Sequence, residues 1–182
     1  MSGTSISSRR RFSMAQSTTQ RRVQKYTTTG RWSAAFTGGL LAGLVMGLLM
    51  QFLAEMMPMV GALYGMPTAT AGWIAHIFHS VVLALVFAAI VTSPPLNRYA
   101  RSSRGIVGLG LAYGAVIWFA LAGFLMPVWL GAVGVPDVPV PNLAATSLVF
   151  HLAYGAILGI VYAIARAPTM RRIADKTSPD AQ

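Results

Sequence analysis

The sequence contains no cysteine, and only 4 of its 182 residues are acidic. The first absence excludes disulfides, iron–sulfur clusters and thiolate-held metals. The second leaves no paired carboxylates for general acid and base chemistry, and there is no Gly-x-x-x-x-Gly-Lys phosphate loop or Gly-x-Ser-x-Gly elbow. Asp137 reads as a turn or cap residue rather than a catalyst. Charged residues make up 10% of the chain, against about 25% in soluble domains. So few charges cannot cover the surface of a water-soluble domain of this size.

What is present is apolar: 55% of the residues are hydrophobic and the mean hydropathy is +0.61. Four stretches approach the roughly 20 residues that cross a bilayer. They are 34–57, stopped by Pro58; 71–92, stopped by Pro94 and Pro95; 105–126, stopped by Pro127; and 146–165, followed by Arg166 and Pro168. Polar and apolar residues do not alternate along them. In hydrocarbon, where the backbone must satisfy itself, helices are the remaining choice. The expected fold is an all-α membrane protein, a four-helix transmembrane domain over 34–165.

The net charge of +10 raises the question of nucleic acid, but its placement answers otherwise. Every Lys and Arg lies in the N-terminal segment 1–33, in the loop Arg98–Arg104, or in the tail 166–182. The positive-inside rule then puts both termini and the middle loop in the cytoplasm of a multi-pass cell-membrane protein. Trp73 and Trp129 fall near the outer boundary and Trp32 and Tyr99 near the inner one, as an aromatic belt requires. Residues 1–33 are rich in Ser, Thr and Arg and build no core, so a disordered basic tail is expected. Ser8-Arg9-Arg10-Arg11-Phe12 has the outline of a twin-arginine signal. The first apolar segment starts roughly 20 residues later, with no small-residue cleavage site. The plainer role is contact of both basic tails with anionic lipid headgroups. No nucleic-acid partner is expected.

The two halves read as a duplication. Met57-Pro58, Gly65 and Pro67 match Met126-Pro127, Gly134 and Pro136. His76, Ser80, Ala84 and Ala88 match His151, Gly155, Gly159 and Ala163, and His79 matches Tyr154. Each unit holds two helices, which gives two parallel two-helix repeats.

Small residues recur at every fourth position: Gly39, Gly43 and Gly47, then Gly110 and Gly114, then Gly155 and Gly159. Such stripes let helix backbones approach closely. They serve packing within the bundle or, for the first stripe, a homodimer; a homo- or hetero-oligomer stays open. The histidines are the sharpest feature. His76 and His151 each head a small-residue stripe, and His79 shares a face with His76. Glu55 and Gln51 lie near the outer end of the first apolar stretch and Tyr154 lies beside His151. Ionisable residues at that depth are functional candidates.

Four readings fit these six residues. One is a hydrogen-bonded cluster that fixes helix register, and another is proton or ion handling. A third is a divalent metal held by His76, His151 and Glu55, and the last is axial ligation of haem b by His76 and His151. Having no cofactor is the plainest expectation. Met46, Met50, Met56, Met57 and Met59 read as lipid-facing or gap-filling.

The run Gly72-Trp73-Ile74-Ala75-His76-Ile77-Phe78-His79-Ser80, the basic middle loop, Met126-Pro127-Val128-Trp129 and the approach from Pro141-Asn142 to His151-Leu152-Ala153-Tyr154-Gly155 carry a resemblance. They resemble a family of small archaeal membrane proteins of haloarchaeal type, many of which bear a histidine kinase label. The spaced histidines, basic loop and proline-rich loop are also similar to the YagU-like inner-membrane proteins. Neither resemblance implies a mechanism. A kinase needs a phospho-acceptor helix and an ATP-binding domain in the cytoplasm, and the cytoplasmic segments expected here are two tails and one short loop. The expected protein is therefore non-enzymatic, an accessory subunit or a small proton- or ion-handling protein. The alternative is a haem- or metal-binding electron-transfer subunit.

The charge map makes a direct prediction. A reporter inserted between Tyr99 and Ser103, or fused to the C-terminus, should be active only as a cytoplasmic reporter; labelling of either from outside the cell would invert the bundle.

Overall fold

The computed structural model describes the backbone of residues 4–177 and the side chains of residues 28–100 and 102–165. Six α-helices account for most of it: α1 (Thr4–Ala54), α2 (Met57–Ala62), α3 (Ala69–Val91), α4 (Ser103–Ile117), α5 (Met126–Ala132) and α6 (Ala145–Thr177). No strand occurs among the described residues. Four helical stretches are long and apolar enough to cross a membrane: Thr28–Ala54, Ala69–Val91, Ser103–Ala132 and Ala145–Ala165. The all-α, four-helix expectation therefore stands.

Helix ends follow local chemistry. Thr68 caps α3, its Oγ1 accepting from Ala71 N at 3.3 Å, and Ser102 caps α4, accepting from Gly105 N at 3.0 Å. The two Met-Pro steps are handled differently. Before Pro58 the chain breaks: α1 ends at Ala54, Glu55 takes φ 52°, and the short α2 begins with proline in its first turn. Before Pro127 the helix does not stop. It widens into a π-helical stretch, Trp118–Leu125, and passes into α5 without a gap. Proline has no N–H for the carbonyl four residues back, that of Gly123. The Asn142 N–H of the following loop takes that place, at 2.8 Å. A side chain at Gly123 would meet Leu143 Cδ2 at 2.7 Å, so glycine lets the loop lie against the helix. Both α2 and α5 are followed by a glycine at positive φ, Gly65 at 71° and Gly134 at 86°.

Two expectations about the tails change. Residues 4–33, expected to be disordered, continue α1 as helix, and α6 runs past Ala165 to Thr177. Extending an existing helix costs far less than starting one, and residues 4–29 hold neither Pro nor Gly. Residues 1–3 and 178–182, and the side chains expected to meet lipid headgroups from both tails, including the Ser8–Phe12 cluster, lie outside the described residues.

Packing joins the helices in the order α3, α1, α6, α4. Glycines set each junction. On α1, a Cβ at Gly39 would lie 2.6 Å from Ala84 Cβ, and one at Gly43 would lie 2.5 Å from Ser80 Cβ, both on α3. Gly38 faces the other way, onto Leu158 of α6. Between α4 and α6 the contact is backbone on backbone. A Cβ on Gly110 or Gly155 would run into the other's carbonyl, and one on Gly114 would run into that of His151. By contrast, α3 and α4 barely touch. They meet chiefly where Tyr113 packs on Phe87, ring centroids 5.4 Å apart, and donates to Leu83 O at 2.9 Å.

Replacing Gly155 by Leu should push α4 from α6 and destabilise the fold by about 1–3 kcal/mol, the usual cost of overpacking. Gly108→Ala, inside α4 where an added Cβ meets nothing within 4 Å, should leave the melting temperature unlowered or raise it slightly. Equal melting curves for the two variants would remove the glycine seam from this account.

Candidate functional site

The gap between α3 and α4 opens, toward the end of the bundle that carries α2 and the proline-rich loop, into a cavity of about 270 Å³. Met46 and Met50 of α1, Val60 of α2, Leu63 just after it, and Ile117, Leu121 and Met126 of the α4–α5 stretch give it an apolar wall. Into that wall are set His76, His79 and Ser80 of α3, with Ser147, His151 and Tyr154 of α6. Four of the six candidate residues thus meet in one chamber.

Each polar group is tied down. His76 is buried, and its Nε2–H donates to the carbonyl of Gly43 at 2.9 Å. The ring reaches that carbonyl because the α1 stripe has no side chains there. A Cβ at Gly47 would lie 2.5 Å from the Trp73 ring and 3.1 Å from His76 Cδ2. Trp73 stands edge-on to His76, with centroids 6.2 Å apart. His151 instead bonds within its own helix, Nδ1–H donating to Ser147 O at 2.7 Å. Tyr154 donates its hydroxyl proton across the bundle to Ser80 O at 2.6 Å. Toward the rim, His79 Nε2 lies 2.6 Å from the Tyr64 hydroxyl, and Tyr64 stands edge-on to Trp129, with centroids 5.5 Å apart.

The other two candidates are elsewhere. Gln51 follows Met50 on α1 and is turned about 100° from it. Its Oε1 is buried without a partner and it does not line the chamber. Glu55 is exposed, in the left-handed conformation that ends α1. Sequence reasoning overlooked Tyr64, Ser147 and Trp129 as site residues. Tyr64 belongs to the cluster through a hydrogen bond that no residue spacing announces, whereas Ser147 lies one helical turn before His151.

These placements bear on ligands. Glu55 does not join the histidines, and no three His, Asp or Glu side chains among the described residues group closely enough to hold a metal. For a haem, His76 would have to give up Gly43, and a ring of four pyrroles would need the chamber widened, given that about 150 Å³ suits one benzene. Away from α2 and the proline-rich loop the chamber is closed. Below Tyr154 and Leu83 come Ala84, Phe87, Ala88, Leu158 and Tyr162, all buried, with Phe87 edge-on to Tyr162 at 5.7 Å. The wall is open toward α3 and α4, where Val82 and Leu125 are both lining residues and exposed, at 40% and 51%.

Removing the Tyr154 hydroxyl tests the cross-tie. Tyr154→Phe should lower stability by about 0.6–1.5 kcal/mol, and Tyr113→Phe, which loses the bond to Leu83, should cost a similar amount. A double variant that costs clearly less than the sum of the two would show that the two bonds hold one another's geometry.

No curated protein and no solved structure matches the chain. Residues 30–172 match a family described as a family of unknown function, DUF6789. That stretch takes in the whole chamber and, but for the first two residues of the first, all four apolar spans, and the chain belongs to that family.

Proposed function

We propose that this chain is a non-enzymatic, multi-pass membrane protein, an accessory component whose chamber binds a small apolar molecule taken from the bilayer. In this reading both termini and the Arg98–Arg104 loop are cytoplasmic, and the chamber occupies the outer half of the cell membrane. The basic segments hold anionic headgroups on the inner side.

The observation that carries the proposal is the gap between α3 and α4. It exposes Val82 and Leu125 in the middle of apolar spans, where the neighbouring medium is lipid, and it leads to three histidines. A concave, mostly apolar space with a few convergent polar groups is the usual form of a small-molecule site.

Duplication supports the same reading. We take the chain as two parallel two-helix repeats, α1–α3 and α4–α6, each ending its first arm in a Met-Pro short helix and a positive-φ glycine. A two-fold relation would pair α1 with α6 as it pairs α4 with α3. The first interface is closed by Gly38 on Leu158. The second stays open, and the chamber is the space that its closure would have filled.

Proton or ion transfer across the membrane, the other role that the histidines invite, needs a polar route to the cytoplasmic side. Phe87, Tyr113 and Tyr162 pack across that route.

The protein in liposomes should therefore leave an imposed pH gradient intact, and its purified form should be colourless. Native mass spectrometry should find a small-molecule adduct that disappears in Ala122→Trp, a variant that fills the chamber. Dissipation of the gradient would turn the assignment to transport. A Soret band lost in both His76→Ala and His151→Ala would turn it to haem.

A further inference from the structure

The chamber's polar chemistry is lopsided. The proton of His151 is assigned to Nδ1 by its nearer partner, the Ser147 carbonyl at 2.7 Å, which can only accept; the Ser147 hydroxyl lies farther from the same nitrogen, at 3.5 Å. The proton of His76 sits on Nε2 for the same reason, its partner being the Gly43 carbonyl at 2.9 Å. The Tyr154 proton is given to the Ser80 carbonyl. Three donors of the wall are thus spent on backbone. A neutral imidazole held by one nitrogen keeps a lone pair on the other. His151 Nε2 and His76 Nδ1 are left as acceptors, and neither has a hydrogen-bond partner among the described residues.

His151 is the better placed of the two. Its engaged nitrogen points back along its own helix, to a residue four positions earlier, so its free nitrogen is on the opposite edge of a ring that lines the chamber. His76 is buried against α1 and Trp73.

We propose, resting on the binding role above, that the ligand is an apolar molecule carrying one hydroxyl, which it donates to His151 Nε2. Its apolar body lies along Met46, Met50, Leu121 and Met126. Methionine suits such a wall, because an unbranched thioether adapts to the shape of its neighbour. The size follows from the volume. A cavity of about 150 Å³ takes benzene, so 270 Å³ accommodates about two fused rings or an equivalent branched chain. The route is lateral, through the gap rimmed by Val82 and Leu125.

Two probes of equal bulk separate the hydroxyl from the apolar body: 1-naphthol and 1-methylnaphthalene. Each is titrated into full-length, ¹⁵N-histidine-labelled protein in lipid nanodiscs. 1-Naphthol should bind about three- to tenfold more tightly, the range expected for one hydrogen bond to a neutral acceptor, and should move the His151 Nε2 resonance. In His151→Leu the advantage should vanish, while 1-methylnaphthalene binding stays within about twofold of the native protein. Equal affinities in the native protein would overturn the hydroxyl preference and leave the binding role standing. Failure of both probes to bind would overturn the binding role and this inference with it. The native comparison decides without any variant, so poor folding of His151→Leu does not protect the proposal.

Discussion

The close approach of helix backbones at the glycines is the constraint on which the rest of this molecule depends. Between apolar helices in lipid, burial gives little driving force, because a lipid tail is as apolar as a leucine. What remains is contact area and hydrogen bonding, and both need short distances. At Gly110, Gly114 and Gly155 there is no room for a single methyl group, and at Gly39 and Gly43 hardly more. Those distances also let side chains reach backbone carbonyls of other helices. His76 reaches Gly43 only because α1 presents bare backbone there, and Tyr154 reaches Ser80 from α6. The glycines are structural in their own right, and they set the protonation pattern of the chamber indirectly.

Proline supplies the second constraint. The same Met-Pro step gives a broken helix in one half and a continuous, widened one in the other. The difference lies in who satisfies the carbonyl that proline abandons. In the second half the longer loop folds back and Asn142 N–H does so. That leaves the α4–α5 stretch whole along the chamber wall, with Leu121, Ala122, Leu125 and Met126 facing in. π-Helical segments of this kind often accompany functional sites, and here the widening coincides with the open side of the bundle.

Much of this was legible in the sequence, and what was not has identifiable causes. The four apolar stretches, the glycine stripes and the convergence of His76, His79, His151 and Tyr154 follow from hydrophobic length and helical spacing, which are local properties. Gln51 and Glu55 sit at the correct depth, but depth alone does not aim a side chain. Gln51 misses by a rotation of about 100° along the helix, and Glu55 lies where Pro58 forces the helix to end. The partners of the histidines could not be read, since Gly43 and Ser147 contribute carbonyls, which every residue has. The disordered tail was inferred from composition, whereas its helix is an extension of a neighbour, which composition does not register.

The open α3–α4 seam carries the functional argument further than the histidines do. Histidines that only fixed helix register would be expected at a closed interface, where each bond competes with nothing but lipid. His76 does sit at such an interface, bonded to Gly43 of α1, but its ring also lines the chamber with His79 and His151, beside the α3–α4 gap that the glycines do not seal, and the tyrosines stop that gap from parting altogether. Tyr113 and Tyr154 donate to Leu83 and Ser80 of α3 from α4 and α6, so the gap is pinned at its base and free at its mouth. A space held open in this way forfeits the dispersion contacts that its lining would otherwise make. Methionine side chains at the wall are unbranched and adaptable, and a ligand of the right bulk would restore those contacts. Binding energy at such a site comes mainly from restoring contacts the fold left unmade. In the proposed binding role, selectivity would come from His151 Nε2, the better placed of the two imidazole nitrogens that backbone hydrogen bonding has left without a proton.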